Sequence, residues 1–203
     1  MPAPEIHRLD HGLWVWQRYD PAVKTELFSS AVLTQAGVYL VDPIPLAEEH
    51  IRELSQAGTL AGIIVTNANH HRSAALYSDR LSIFIFAHPK TFPESKPDRF
   101  KEVTTGSVIR GDLSVIEIQG AVAGEIAIRQ PAEGGTLILG DALINFEPYG
   151  FTFLPRKYCE DEMQMRVSLR QLLLKPAKRM LFAHGTPILS NATARLRHIL
   201  DAK

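Results

Sequence analysis

The stretch that decides the fold is AGIIVTNANHHR, from Ala61 to Arg72, in which a short apolar run ends in a polar turn. The run predicts a buried strand over Ala61–Thr66, because its residues are apolar on both faces and partly β-branched. The turn predicts the start of a helix over Arg72–Asp79. Polar residues at the end of a buried strand are typical of a functional site, because the sheet fixes their backbone while the loop directs their side chains into a cleft.

Two later apolar runs end in the same way. LILGD places Asp141 directly after a strand, and LFAHG does the same for His184. Taken singly, each polar group has an ordinary interpretation: His70 and His71 as a solvated loop, Asp141 as a turn residue and His184 as a histidine near the core. Their repetition at three strand ends is what indicates a common site.

The rest of the chain alternates strand-like and helix-like segments and shows no internal repeat. This order predicts an α/β protein with helices packed on sheets, formed by one domain over residues 1–203. Strands are predicted at Gly12–Gln17, Leu27–Gln35, Val38–Asp42, Leu81–Ala87, Asp112–Ile118, Glu125–Gln130, Thr136–Leu139 and Lys178–Ala183. Helices are predicted at Leu46–Ala57, Glu160–Leu174 and Asn191–Leu200, with Met163, Val167 and Leu174 sharing one stripe of the second.

Composition excludes several classes of protein. The 203 residues are 45% hydrophobic, and 22 basic side chains balance 22 acidic ones, which disfavours disorder and nucleic-acid binding. No apolar run approaches the ~20 residues that span a bilayer, so no membrane insertion is expected. The lone Cys159 allows no internal disulfide, and the segment Met1–Asp10 lacks the apolar core of a secretory signal. We therefore expect a cytoplasmic protein; its oligomeric state stays open.

Together, the strand ends resemble the metallo-β-lactamase superfamily. Its signature is a strand ending in Thr-His-x-His-x-Asp-His, a later Gly-His turn, a strand ending in Gly-Asp and a final strand ending in His-Gly. The resemblance covers most of the chain and implies a four-layer αββα sandwich with a metal-dependent hydrolase centre. The matching segments are VYLVDP (38–43), IIVTNANHHR (63–72), IFAHP (85–89), LILGD (137–141) and LFAHG (181–185).

The resemblance also implies that one of the two metal sites of the superfamily is lost. Aligned without a gap on Thr66, the first two motif histidines become Asn67 and Asn69, and the histidine of the later turn becomes Ala121. Amide oxygens are weak zinc ligands compared with imidazole. The first site should therefore hold no ion.

The second site keeps two ligands of the superfamily, Asp141 and His184. In the same alignment His71 replaces the motif aspartate, so His71, Asp141 and His184 are predicted to hold at most one zinc or iron ion. Arg72 replaces the last motif histidine and cannot bind a metal. Its guanidinium could instead pair with Asp141 and supply the positive charge of the ion.

Two functions follow from these alternatives. The first is a residual hydrolase with Asp141 and Arg72 as catalytic residues, in which one ion activates water and Arg72 stabilises an oxyanion. The second is a non-catalytic module that binds an anion or the carboxylate of a partner through Arg72 together with His71 and His184. In either case we expect a small-molecule or anionic ligand in the cleft, contacted by Asn67, Asn69 and His70. Phe146, Tyr149, Phe151 and Phe153 of the segment 146–155 are candidates either for an apolar wall beside Asp141 or for a lid on the core.

Overall fold

The computed structural model describes residues 2–3, 5–110 and 112–202. Within them the strands are β1 His7–Asp10, β2 Leu13–Asp20, β3 Thr25–Thr34, β4 Gly37–Val41, β5 Leu60–Val65, β6 Ile85–Ala87, β7 Phe100–Glu102, β8 Val108–Ile109, β9 Leu113–Glu117, β10 Ile126–Gln130, β11 Thr136–Leu139, β12 Leu143–Phe146, β13 Gly150–Phe153 and β14 Arg179–Phe182. The α-helices are α1 Glu48–Ala57, α2 Ala74–Leu81, α3 Glu162–Leu169 and α4 Ala192–Asp201.

The strands form two large sheets and one hairpin. The first sheet has the order β1-β2-β3-β4-β5-β6-β7, antiparallel up to β4 and parallel from β4 onwards. The second has the order β14-β11-β10-β9-β8 and is antiparallel except for the parallel pair β11 and β14. The hairpin of β12 and β13 follows the second sheet along the chain. Short antiparallel connections and longer helical crossovers therefore account for this topology.

Alternation along the strands divides the apolar residues among three cores. In β4, Leu40 packs with α1 and α2 on the outer face of the first sheet, whereas Tyr39 packs between the two sheets. In β11, Leu139 packs with α3 and α4 on the outer face of the second sheet, whereas Ile138 faces the first sheet. Because successive strand residues point to opposite faces, two sheets with helices outside give three such cores. The predicted four-layer αββα sandwich is confirmed.

Two predicted elements differ from the structure. The strand predicted over Leu81–Ala87 shortens to Ile85–Ala87, because Leu81 is the last residue of α2 and Ser82 follows it in a left-handed conformation (φ 55°). The helix predicted over Glu160–Leu174 is α only to Leu169 and continues as a 3₁₀ helix. Its stripe of Met163, Val167 and Leu174 faces solvent, and the buried positions are Met165, Leu169 and Leu172.

The topology brings the predicted site together at one edge of the sandwich. The loops that follow β4 and β5 leave the first sheet there, and those that follow β11 and β14 leave the second. Because each pair is parallel, its two carboxyl ends lie side by side. No helix in the described part of the chain is long and apolar enough to cross a membrane.

Candidate metal centre

The loop between β5 and α2 is tightened by the side chain of Asn67. The Asn67 carboxamide oxygen accepts a hydrogen bond from the main-chain N–H of Asn69 at 2.9 Å, and the N–H of His70 donates to the Asn67 carbonyl at 3.1 Å. This Asx turn changes the direction of the chain within two residues. As a result His70 is buried in the site and His71 is exposed.

The imidazole of His70 is anchored through Nδ1. That nitrogen lies 2.9 Å from Asp42 Oδ2 and 2.9 Å from Thr66 Oγ1, and all three side chains are buried. Asp42 also accepts from the Thr66 N–H at 2.8 Å and from its hydroxyl at 2.5 Å. With Nδ1 engaged in this way, the orientation of the ring is fixed and Nε2 is left to face the cleft.

His70 Nε2 and His184 Nε2 meet at one oxygen of Asp141. The two nitrogens lie 3.2 Å and 3.3 Å from Asp141 Oδ1. His184 Nδ1 in turn lies 3.3 Å from the Glu26 carbonyl oxygen. His70, Asp141 and His184 each offer one ligand atom, and these atoms all lie within 4.8 Å of one another.

The other oxygen of Asp141 is taken by amides. Asp141 Oδ2 accepts from Asn67 Nδ2 at 3.1 Å and from Asn69 Nδ2 at 3.4 Å. The carboxylate is therefore divided, with Oδ1 towards the two imidazoles and Oδ2 towards the two carboxamides. Asn67 and Asn69 stand where the superfamily resemblance predicts the ligands of a lost first site.

The pKa values of the buried side chains follow from this arrangement. Burial by itself lowers the pKa of His70, but the carboxylates of Asp141 and Asp42 outweigh it and raise the pKa to about 9. Burial alone would raise the pKa of Asp141. The charge of His70 and the hydrogen bond between Asp141 and His184 instead hold the pKa of Asp141 well below its usual range. The pKa of Asp42 is lowered in the same way, mainly by His70. Without an ion, His70 is thus an imidazolium between two carboxylates.

The structure does not place His71 beside Asp141 and His184, the ligand set that the sequence predicts. His71 Nε2 lies 2.5 Å from the carbonyl oxygen of Thr91, and the ring stacks on Phe92 with centroids 4.3 Å apart. His70 occupies the position beside Asp141 instead. The ungapped alignment missed His70 because the turn at Asn67 places His70, and not His71, in the cleft.

The predicted direct hydrogen bond between Arg72 and Asp141 is not formed. Arg72 Nη1 donates to the carbonyls of Phe28 at 2.5 Å and Asp42 at 2.9 Å, and Nη2 to that of Ala183 at 3.4 Å. Burial lowers the pKa of Arg72. The guanidinium therefore binds the main chain of β3 and of the residues that follow β4 and β14, and the positive charge nearest to Asp141 belongs to His70.

A cleft of about 970 Å³ opens above these groups. Asn69, His70, Asp141 and His184 line its floor together with Arg72. Its walls are largely apolar and aromatic, with two lysines, one aspartate and one threonine, and comprise Val23, Leu27, Val122, Ile144, Phe146, Tyr149, Leu154, Pro155, Tyr158, Lys24, Lys157, Asp20 and Thr25. Phe146 and Tyr149 of the segment 146–155 line this cleft, whereas Phe151 and Phe153 pack on the core outside the second sheet.

The sequence profile of the Metallo-beta-lactamase superfamily matches residues 4–202. The chain belongs to the metallo-β-lactamase superfamily. No curated protein sequence matches the chain significantly. Solved structures of the superfamily align over almost its whole length at low identity, which reflects the shared fold.

Three of these structures illustrate the likeness. The DIM-1 metallo-β-lactamase aligns with a TM-score of 0.77 and 15% identity over 98% of both chains. A metallo-β-lactamase from Pontibacter korlensis gives 0.74 and 15% over 98% of this chain and 99% of that one. The FIM-1 metallo-β-lactamase from Pseudomonas aeruginosa, solved in its mono-zinc form, gives 0.74 and 12% over 99% and 96%.

The residues at the centre fit the kind of ion that the superfamily holds. His70 Nε2 is buried and makes no hydrogen bond of good geometry within the described residues, although it lies 3.2 Å from Asp141 Oδ1 as an ion-pair partner. Zinc bonds of about 2.0–2.1 Å at tetrahedral angles place neighbouring ligand atoms about 3.4 Å apart. The separations of 3.2 Å and 3.3 Å around Asp141 Oδ1 agree with that value.

Glu125 is a residue of this centre that the sequence did not reveal. It precedes β10, is buried, and accepts from Asn67 Nδ2 at 2.6 Å and from the Ala142 N–H at 3.1 Å. Burial and then the charge of Asp141 raise the pKa of Glu125 to about 8, so the acid is largely protonated at neutral pH. The only sequence feature that marks Glu125 is its place between a glycine turn and an apolar strand.

Gly140 makes room for this hydrogen-bonded group. A Cβ at that position would lie 2.5 Å from Thr66 Oγ1, 2.8 Å from Asn67 Nδ2 and 2.8 Å from Glu125 Oε1. The glycine of the Gly-Asp pair is therefore required by space and not by an unusual backbone angle. It allows the end of β11 to approach the end of β5, and that approach brings Asp141 to His70.

Proposed function

We propose that the protein is a metal-dependent hydrolase with a single ion, held by His70, Asp141 and His184. The observation that carries the proposal is the orientation of the two imidazoles. Each has its Nδ1 close to an acceptor, Asp42 for one and Glu26 for the other, and each directs Nε2 to the same oxygen of Asp141. Such outer hydrogen bonds fix tautomer and ring orientation in protein metal sites.

The ligand set supports one ion, either zinc or iron. Two imidazoles and one carboxylate leave coordination positions open for water and substrate, as in catalytic sites. When bound, such an ion supplies Lewis-acid activation of water at neutral pH. The partners Asp42, Thr66 and Glu26 hold the imidazoles in place, and Asn67 holds Asp141.

The cleft supports a small substrate with an apolar part. Phe146 and Tyr149 contact each other edge to face on one wall, and Lys24 and Lys157 outnumber Asp20 among the charged residues of the walls. We therefore retain a small-molecule or anionic ligand as the occupant of the cleft. The metal ligands do not specify which carboxyl derivative is hydrolysed. The walls of the cleft would make that selection.

A second candidate function is a non-catalytic module that binds an anion. It is favoured by one observation: with the pKa of His70 near 9, the metal-free centre holds two cations, the His70 imidazolium and the Arg72 guanidinium, against the carboxylates of Asp42 and Asp141. In this form the charge that an ion would supply comes from His70 together with Arg72. A centre without metal would then be a stable end state.

Metal content distinguishes the two functions. Protein purified without chelators or affinity metals is analysed for zinc and iron, then dialysed and titrated with zinc by calorimetry. We expect one ion per chain. The neighbouring substitutions His70→Ala and His71→Ala form a matched pair: the first should abolish tight binding, and the second should retain it, with folding checked by circular dichroism.

Three results would contradict the proposal. Two tightly held ions would show that the first site survives, and no binding would favour the anion-binding module. Loss of the ion in His71→Ala but not in His70→Ala would restore the ligand set that the ungapped alignment predicts.

A further inference from the structure

The centre contains several hydrogen-bond donors, and most are already used. Arg72, the residue that the sequence suggested for oxyanion stabilisation, donates to three main-chain carbonyls. Asn67 is fully buried, donates through Nδ2 to Glu125 and Asp141, and accepts through Oδ1. Neither side chain can bind substrate without breaking the contacts that hold the centre together.

Asn69 differs from both in exposure and in unused capacity. It is exposed in the cleft, on the same floor as His70, Asp141 and His184. Its Nδ2 makes one long contact, 3.4 Å to Asp141 Oδ2, and its second Nδ2 proton has no partner in the part of the chain that the structure describes. Its main chain is held by the bond to Asn67 Oδ1.

The orientation of this carboxamide is determined by charge. Rotation by 180° would place the Asn69 oxygen against Asp141 Oδ2, oxygen to carboxylate, and lose the only bond of the side chain. The nitrogen is therefore the end near Asp141, and it keeps one free donor. A donor with a fixed backbone beside the reacting centre has the features of an oxyanion hole.

We infer that Asn69 is the residue that donates a hydrogen bond to the carbonyl oxygen of the substrate as that oxygen gains negative charge. The inference rests on the proposed hydrolase function and adds a catalytic residue to it. In ester hydrolysis the water oxygen adds to the carbonyl carbon, and the carbonyl π electrons move to the oxygen that faces Asn69. The carbon–oxygen bond to the alcohol then breaks, and the alcohol leaves with a proton released by the attacking water.

Asn69 stands at a position where the superfamily has a metal ligand. In the superfamily signature a metal-ligand histidine occupies this position, and here a neutral amide donor occupies it instead. A hydrogen bond from an amide stabilises a developing oxyanion less than a metal ion does, but it needs no second ion. The centre thereby combines one ion position with one hydrogen-bond donor.

The test compares zinc-loaded wild type with Asn69→Ala, with Asn69→Ser, which retains a shorter donor, and with Gln164→Ala, which removes an exposed amide outside the cleft. Three quantities are measured: zinc bound per chain, kcat and KM for 4-nitrophenyl acetate, and Kd for phenylboronic acid. The boronate binds as a tetrahedral anion and so reports oxyanion stabilisation without turnover.

We expect equal zinc content in all four proteins. Loss of an enclosed oxyanion donor typically lowers kcat by about 100- to 1,000-fold, and for the exposed Asn69 we expect about 10- to 100-fold with little change in KM. The Kd for the boronate should rise by a similar factor in Asn69→Ala and less in Asn69→Ser. Gln164→Ala should match wild type.

The outcomes separate this inference from the function on which it rests. If wild type binds no zinc, the proposed hydrolase is wrong and the role of Asn69 falls with it. If wild type binds zinc but Asn69→Ala matches it in kcat and boronate affinity, or wild type does not bind the boronate, only the role of Asn69 is overturned. Reduced zinc content in Asn69→Ala would make Asn69 a positioning residue for Asp141 and also overturns the inference.

Discussion

His70 Nδ1 lies 2.9 Å from Asp42 Oδ2, so the imidazole after β5 is anchored on the carboxylate that ends β4. This contact joins two neighbouring parallel strands of the first sheet by their side chains. It also fixes which nitrogen of His70 faces the second sheet. Because the anchor is made entirely by protein groups, the ring is oriented before any ion or substrate arrives.

The pKa of His70 predicts a loss of stability at high pH. The folded protein holds a proton up to about pH 9 that the unfolded chain releases near 6.5. The contribution of His70 to the free energy of unfolding of chelator-treated protein should therefore be complete below that lower value and fall by about 3 kcal/mol as the pH rises through the folded pKa. This decline adds to the one that the raised pKa of Glu125 causes up to about pH 8. Urea unfolding at intervals across this range measures it.

The controls for this prediction are two histidine substitutions. His70→Gln should lose the part of the decline that extends to about pH 9, because the glutamine does not titrate, and keep the part that Glu125 contributes up to about pH 8. The exposed His198→Gln should retain the whole decline. A wild-type stability that stays constant through this window would show that His70 is neutral in the folded protein.

Zinc uptake should release protons. Zinc requires the neutral imidazole of His70, whose pKa of about 9 makes it cationic at neutral pH. Calorimetric titration at about pH 7.5 in two buffers of different ionisation enthalpy should give heats that differ by about one proton per ion. Equal heats in the two buffers would argue against His70 as a ligand, and His71→Ala should behave like wild type.

Arg72→Ala should destabilise the protein through its main-chain contacts. Three carbonyls, those of Phe28, Asp42 and Ala183, lose a charged donor. We expect a loss of about 2–4 kcal/mol in urea unfolding, since hydrogen bonds to charged groups contribute about 1.5–3 kcal/mol each and the site is partly solvated. Arg72→Lys should recover only a fraction, because a single ammonium cannot span the three carbonyls.

A surface arginine provides the comparison. Arg80 pairs with Glu48 at the surface, and Arg80→Ala should change stability by no more than about 0.5 kcal/mol. If Arg72→Ala is equally mild, the guanidinium does not hold the strand ends together.

Gly140→Ala should disrupt the centre through steric overlap alone. The added methyl group would approach Thr66 Oγ1 to 2.5 Å and displace Asn67 and Glu125. We expect destabilisation of about 3 kcal/mol or more, as for other overpacked buried positions, together with weaker zinc binding. Thermal unfolding and a zinc titration measure the two effects, and a variant with wild-type values in both would contradict the close approach of β11 and β5.

The sequence predicted the fold well because its signals are local and repeated. Alternation in VYLV and LILG assigns each strand two faces, and the parallel strands end in polar residues that must meet. The stripe of Met163, Val167 and Leu174 was less informative, since a helix with apolar residues on two sides does not reveal which side the 3₁₀ continuation will bury.

The site was predictable to the level of its loops but not of each side chain. Asp141 and His184 follow regular strands, so the pleat fixes their direction. His70 and His71 lie in an irregular turn whose direction depends on the Asn67 side chain, and Arg72 has a positive φ of 40° that turns it towards main-chain carbonyls. Glu125 was missed because its burial depends on Gly140, far away in sequence.

The three proposed ligands do not belong to one sheet. His70 comes from the first, whereas Asp141 and His184 follow strands of the second. At this edge the two layers are already joined by a few main-chain hydrogen bonds, such as that from the Ile126 N–H to the Thr66 carbonyl at 2.8 Å. An ion held there would act as a cross-link between the halves of the sandwich, and its affinity would report how closely the halves are docked. Metal release would then accompany any separation of the layers, so that a partly opened protein would lose its chemistry before it lost its secondary structure.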